Sequence, residues 1–317
     1  MVKDFWEFVY ERQQMWLRRE AGVPREEWTT DPTLKTQFFT NVFRELDPGT
    51  DVALEIMSEP DRPKWERLWN LVLYRRINRE DTWRKYIRYI KNPRPVDLLV
   101  ILDNLKEERK KRVSIFTDAH QISPLANIKG ADLLERVFQC AKDFLRDVGL
   151  AELDLSDARN IQEFFTLSSS VLGPGIGSFL GWQLSMDMRY GPDPINCFSD
   201  DEWAPITHGA KTGLTLMMNW PVVGVVSGQL PTADLKAKFP GIPVFKSASK
   251  YDLEIEARRM RDSQDDEFEE RLLNFADVAA PGYERLTMAA IEHSLCEWQK
   301  YVGFSRGLLG GGRGYKK

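Results

Sequence analysis

Leu172-Gly173-Pro174-Gly175-Ile176-Gly177-Ser178-Phe179-Leu180-Gly181-Trp182 sets a glycine-rich stretch between two apolar segments. Upstream Phe164, Phe165, Leu167, Val171 and Leu172, and downstream Phe179, Leu180, Trp182, Leu184, Met186 and Met188, recur at spacings that a helix can place on one face. The stretch therefore predicts two helices joined by a glycine turn. Glycine tolerates positive φ and close backbone approach. A helix starting near Gly177 turns its unpaired N–H groups and the positive end of its dipole out of the turn. An anion is the ligand that suits such a helix start, and a nucleic-acid phosphate is the first anion to consider.

These residues resemble the helix-hairpin-helix motif, which reads Pro-Gly-hydrophobic-Gly, two variable positions, threonine and a small residue. This chain has Pro174-Gly175-Ile176-Gly177, then Ser178, Phe179, Leu180 and the small Gly181. Gly173, Gly175, Ile176, Gly177 and Ser178 are the expected DNA-phosphate contacts. The rival reading is a glycine turn that merely joins two core helices, since glycine punctuates many helix pairs.

Of the 317 residues, 42% are hydrophobic and 29% charged, enough to bury one large core or two modest lobes. No apolar run approaches the roughly 20 residues that span a bilayer, and Met1-Val2-Lys3-Asp4-Phe5-Trp6 leads into an amphipathic pattern rather than a signal peptide. The expectation is a soluble cytoplasmic protein with no membrane partner. Cys140, Cys197 and Cys296 lie far apart, and the histidines number three, His120, His208 and His293. Neither a disulfide framework nor a metal site is expected.

The net charge of -4 argues against indiscriminate nucleic-acid binding, but basic residues cluster. Arg75, Arg76, Arg79, Arg84, Lys85, Arg88, Lys91 and Arg94 face only Glu80 and Asp81 along the chain, with Trp83, Tyr86 and Tyr89 between them. Phosphate contacts and aromatic stacking would both use such a stripe. A solvated helix face tucked against the core by its aromatics explains it equally well. A second run, Lys106, Arg109, Lys110, Lys111 and Arg112, is diluted by Glu107 and Glu108.

Helical patterning dominates, so the expected class is mostly α. Helices are predicted over about 3–22, 31–48, 62–78, 80–91, 95–108, 130–148, 156–171, 178–190, 252–275 and 283–302. The second starts at Asp31 as cap with Pro32 in its first turn, and carries Phe38, Phe39, Val42, Phe43 and Leu46 on to Pro48. Trp220 to Val226 is β-like and opens a loop-rich insertion over 220–250. The expected organisation is one helical domain over 1–302, divisible into two lobes, with a flexible tail over 303–317.

Several phrases together resemble the α-glutamyl/putrescinyl thymine pyrophosphorylase family, which includes phage amino acid:DNA transferases and the helical domain of 5-hydroxymethyluracil DNA kinases. They are Glu11-Arg12, Arg18-Arg19, Trp28-Thr29, Asp31-Pro32 and the run Phe39 to Asp47; then Arg76-Ile77-Asn78, Thr82-Trp83, the glycine turn, Asp187 with Tyr190, and Leu295 to Tyr301. The resemblance implies a DNA-glycosylase-like helical fold acting on double-stranded DNA with a flipped, modified base. It implies that the pyrophosphate of 5-pyrophosphoryloxymethyluracil is replaced by an amine from an amino acid or polyamine, the co-substrate; no other cofactor is expected. A 5-hydroxymethyluracil DNA kinase is an implied partner.

Under that resemblance, leaving pyrophosphate calls for cations such as Arg44, Arg76 or Lys129, with Asn41 as a further pyrophosphate- or substrate-binding residue. An attacking ammonium must lose a proton to Asp187 or Glu297, and Lys300 would pair with Glu297 or with phosphate. The rival for Arg44 with Asp47, and for Glu297 with Lys300, is a plain helix ion pair at i,i+3. The chain departs from the family where Ile206 to Gly213 replaces a Gly-Pro-Gly-Ala-like phrase, which puts substrate identity in doubt. Its Gly209-Ala210-Lys211-Thr212 lacks phosphate-loop spacing. Two other functions compete. One is a glycosylase that excises a modified base, with Asp200 or Asp201 as its catalytic acid; the Schiff-base lysine of a lyase would fall at Phe179. The other is a non-catalytic DNA-binding subunit.

Overall fold

A computed structural model of the chain describes residues 2–117, 133–174, 176–218 and 250–307. In chain order the helices are α1 (Phe5–Glu20), α2 (Pro32–Thr36), α3 (Pro48–Met57), α4 (Lys64–Ile77), α5 (Glu80–Thr82), α6 (Pro95–Lys110), α7 (Leu133–Ser156), α8 (Ile161–Val171), α9 (Ser178–Asp187), α10 (His208–Met218), α11 (Lys250–Asp262), α12 (Gln264–Glu270) and α13 (Met288–Ser305). No strand occurs among the described residues. The mostly α class therefore holds. The β-like run and the 220–250 insertion lie outside the described residues, as do Gly175, Lys129 and the tail from 308. Within the expected tail, Gly303 to Ser305 complete α13.

The chain divides into two compact units, Met1–Asp47 with Asp200–Lys317, and Pro48–Ser199. Each has its own apolar core. In the first unit, Phe5 and Phe8 of α1 pack on Trp298 and Tyr301 of α13, the last two stacked at 5.4 Å. The Tyr301 hydroxyl donates to Asp31 at 2.8 Å. Asp31 also caps α2 by accepting from the Thr33 and Leu34 N–H groups. This cap was legible, but the helix after it stops at Thr36 instead of running to Pro48. Residues beyond Thr36 reach Phe39, Val42 and Phe43 into the core without being helical, and Arg44–Leu46 forms a single 3₁₀ turn.

Helix α10 was not foreseen. Its glycines explain why it packs so closely on α13: a Cβ on Gly213 would stand 1.9 Å from the Leu295 carbonyl oxygen, and one on Gly209 2.4 Å from the Cys296 sulfur. The Gly209-Ala210-Lys211-Thr212 phrase is thus a helix-packing element rather than a phosphate loop. Gly213→Ala should destabilise the protein by about 1–3 kcal/mol, because backbone overlap outweighs the roughly 1 kcal/mol of helix propensity that alanine gains. Urea unfolding reads this as a lower midpoint, and a midpoint at or above the parent's would refute the close-packing account.

In the second unit, α8 and α9 are the two helices flanking the glycine turn. A Cβ on Gly181 would lie 3.1 Å from the Ser169 Cα, so the small residue here is what lets α9 approach α8. Helix α7 runs unbroken through Gly149 to Ser156, where a helix ending at 148 and another starting at 156 were expected. Helix α3 was missed, since no helix was predicted between Pro48 and about residue 62.

Candidate functional site

The break after α2 builds a polar cluster in the first unit. Arg12 of α1, 4% exposed, donates to the Thr40 carbonyl at 2.5 Å and to the Asn41 carbonyl at 2.8 Å, and it reaches Ser294 of α13 at 3.4 Å. These side-chain donors take the place of helical N–H partners, so the chain can remain extended here without stranding buried carbonyls. Asp47 accepts from the Asn41 N–H at 2.8 Å, and the Asn41 amide donates to the Leu46 carbonyl. The Thr40 N–H points to Glu297 at 3.4 Å, and the Thr40 hydroxyl lies 2.8 Å from His293 Nε2.

Helix α13 supplies the opposite wall. His293 and Glu297 are one turn apart, and Glu297 binds Lys300 in a close ion pair. Asp47 Oδ2 stands 3.9 Å from His293 Nε2. Burial would raise the Glu297 pKa, but Lys300, Arg12 and His293 outweigh it and hold the carboxyl below its usual range. Burial pushes Asp47 up to about 7, with Glu297 adding to the shift and Arg44 and Arg12 opposing it. Burial also drives His293 down to about 3, so its imidazole is neutral near pH 7. The Cys296 thiol is pushed up to about 12 by burial and by Glu297, which makes it a packing residue rather than a thiolate nucleophile. A narrow cleft of about 30 Å³, lined by Arg12, Trp16, Arg19, Trp28, Phe38 and Thr40 among others, opens beside Thr40.

In the second unit the glycine turn is presented to solvent. Pro174, Gly177, Ser178 and Phe179 are exposed while Ile176 plugs the core, and Gly173 takes φ +92°. No side chain caps the start of α9. Two neighbouring arginines of α4 brace the glycine turn and the far end of α9. Arg76, fully buried, donates to the Pro174 carbonyl at 2.6 Å and the Leu172 carbonyl at 3.3 Å. Arg75 forms a two-pronged bond with Asp187, Nε to Oδ2 at 2.5 Å and Nη2 to Oδ1 at 3.0 Å.

A family model described as "5-hmdU DNA kinase, helical domain" matches residues 1–307. The chain belongs to this family. It is 26% identical over 223 residues to a 5-hmdU DNA kinase of Bacillus phage SP10, an alignment covering 65% of this chain and 34% of the relative. The chain thus spans about a third of that kinase's length. No solved structure matches it.

Within this helical domain the residues singled out from sequence separate into groups. Asn41, Arg44, Glu297 and Lys300 come together in the first unit, with Arg44 close enough to Asp47 and His293 to influence both charges. Asp187 belongs to the second unit. It is 0% exposed and occupied by Arg75, so its structural role is a buried ion pair and not a base open to substrate. Burial opposes the Arg75 charge, but Asp187 outweighs it and raises the guanidinium pKa. Arg76 likewise departs from expectation: it braces the turn's carbonyls, and burial lowers its pKa. Asp200 and Asp201 hold the start of α13. Asp200 accepts from the Thr287 hydroxyl at 3.2 Å and, through its carbonyl, from the Ala289 N–H at 3.0 Å; Asp201 accepts from the Met288 N–H at 3.2 Å.

The basic stripe of residues 75–94 also resolves differently. Two of its arginines are interior, Arg84 pairs with Glu55 and Glu80, Lys91 with Glu59 and Arg94 with Asp97. Trp83 is core, and Tyr86 and Tyr89 pack against it. The aromatic residues anchor this segment instead of offering stacking faces. Among the described residues, no group of three or more His, Cys, Asp or Glu side chains converges as metal ligands would. No catalytic or binding role was expected of Arg12, Thr40, Asp47 or His293. The signal available was the i,i+4 spacing of His293 and Glu297 on one helix, together with the polar residues inside Phe39 to Asp47.

Proposed function

We propose that this helical domain modifies thymine-position bases in phage DNA, replacing the pyrophosphate of 5-pyrophosphoryloxymethyluracil with an amine from an amino acid or polyamine. The observation that carries this reading is the cluster around Thr40 and Asn41, where Arg12, Arg44 and Lys300 meet Asp47, His293 and Glu297. Cations preorganised at a site stabilise the charge that builds on a departing pyrophosphate. Carboxylate and neutral imidazole groups beside them can take the proton an ammonium must shed before its lone pair attacks. The cleft beside Thr40 has room for a group the size of an amino head group.

The exposed turn at the start of α9 serves as the DNA grip, its backbone N–H groups receiving a phosphate in helix-hairpin-helix fashion within a glycosylase-like fold. A base must leave the stack for its 5-substituent to be reached, and a grip on the flanking backbone helps hold it there. The phosphorylated substrate would come from a kinase acting on 5-hydroxymethyluracil in DNA, the activity named for the phage SP10 relative. Base excision is the weaker alternative because both of its candidate acids cap α13. A purely DNA-binding role would leave the Thr40 cluster a structural part alone.

Pyrophosphate release tests the proposal. It should require both the modified DNA and an amine, with no abasic sites formed. Abasic sites would point to excision, and binding with neither product would leave only the DNA-binding role.

A further inference from the structure

We propose that Thr40, His293 and Asp47 form a proton relay that carries the ammonium proton of the incoming co-substrate away from the cleft; this rests on the amine-transfer reading. Thr40 lines the cleft and its hydroxyl lies 2.8 Å from His293 Nε2, while Asp47 Oδ2 waits 3.9 Å from the same nitrogen. The His293 and Asp47 side chains are 17% and 16% exposed, so the path inward is largely shielded from bulk water. The ammonium gives one proton to Thr40 Oγ1 as the hydroxyl proton passes to Nε2, and Nε2 hands it to Asp47. The freed amine lone pair then forms the C–N bond to the 5-methylene carbon. The C–O bond to pyrophosphate breaks with its electron pair leaving on oxygen, so the step is redox-neutral and the product leaves as a secondary ammonium.

The charged groups facing this relay are Arg12 from α1, Arg44 and Asp47 from the loop, and Glu297 and Lys300 from α13. They drive the proton onward from His293 to Asp47. Burial and the three cations keep His293 neutral at rest and make its protonated form short-lived, so the proton passes on to Asp47, whose pKa near 7 lets it bind and release a proton at working pH. Thr40 positions the imidazole and passes the proton, and Asp47 is the terminal acceptor.

The test uses the full chain and two readouts. In amine transfer, kcat/KM of the parent should rise with pH through a limb near 7, and Asp47→Asn should remove the limb and slow the reaction by about 100-fold. Thr40→Val should lower kcat by a similar factor with KM retained, and Thr40→Ser should restore most of it. A limb that persists in Asp47→Asn, or a fully active Thr40→Val, overturns the relay.

Stability against pH needs no turnover. The folded-state pKa of Asp47 is raised from 3.8 to about 7, so its contribution is present at low pH and lost as pH climbs from about 4 through 7. His293 is lowered from 6.5 to about 3, so its contribution grows as pH rises from about 3 to 6.5. In the parent the two trends oppose each other, and Asp47→Asn should unmask the His293 rise. The stability of the parent relative to Asp47→Asn should therefore fall between pH 4 and 7. A pH-independent difference overturns the relay, even if the parent makes amine adducts. If the parent makes no adduct, the transfer reading fails while the stability difference still decides whether Asp47 holds its proton near neutrality.

Discussion

Replacing Asp187 with asparagine is expected to cost about 3–5 kcal/mol of stability, because it leaves the Arg75 guanidinium charged and buried without its counter-ion. Arg75 is 4% exposed and Asp187 0%, so water cannot take over the lost partner. Arg75 would keep the Asn78 side-chain oxygen at 2.9 Å and the face of the Tyr74 ring at 5.2 Å, neither of which carries a full negative charge. Asparagine preserves shape and one acceptor, so the loss isolates charge rather than volume. The pair also fixes the end of α9, while Arg76 braces the glycine turn before it. Arg75→Met combined with Asp187→Leu should recover much of the loss, since an apolar pair of similar volume escapes the desolvation cost. Urea unfolding of the single and double variants checks this. An Asp187→Asn variant within 1 kcal/mol of the parent would mean the ion pair is not the clamp described.

The second large effect concerns chemistry rather than folding. Glu297→Gln should reduce amine transfer by about 100-fold or more while DNA binding stays near the parent level. Glu297 pairs with Lys300, accepts from the Thr40 N–H and sits one turn from His293. Losing its charge frees Lys300 and removes the anion that offsets Arg12 and Arg44 beside Asp47 and His293. The loss should appear in kcat, with the midpoint of DNA retention unchanged. A matched fall in DNA affinity would assign Glu297 to binding instead.

How much of this was readable in the sequence depended on the reach of each interaction. Helices set by local periodicity, such as α1, α4 and α9, were legible, as was the Asp31 cap. The segment from Gln37 to Asp47 was not, because Phe39, Val42 and Phe43 recur at i,i+3 and i,i+4 spacing and imitate a helical stripe. What decides their conformation is Arg12, 28 and 29 residues away, which takes the carbonyls that a helix would have used. Asp187 was misjudged for the same reason: its partner lies 112 residues earlier, and an acid at a helix end looks free until the arginine is seen. The basic stripe failed differently. Its charges were counted correctly, but neighbouring acids such as Glu55 and Glu59 belong to another helix and the loop after it, and only packing brings them alongside. The pairing of Glu297 with Lys300 was visible as spacing. That it faces Thr40 and Asp47 was not, since those residues are more than 200 positions away.

The central claim is that the chain joins an amine to a base in DNA at the Thr40 cluster, and the mass of the modified nucleoside tests it most directly. DNA carrying 5-pyrophosphoryloxymethyluracil is incubated with the chain and candidate amino acids or polyamines, digested, and its nucleosides weighed. The account predicts a nucleoside in which the amine has replaced pyrophosphate, formed by the parent and nearly absent with Glu297→Gln. Unchanged nucleosides with the parent, or equal adduct yields from parent and Glu297→Gln, would contradict it.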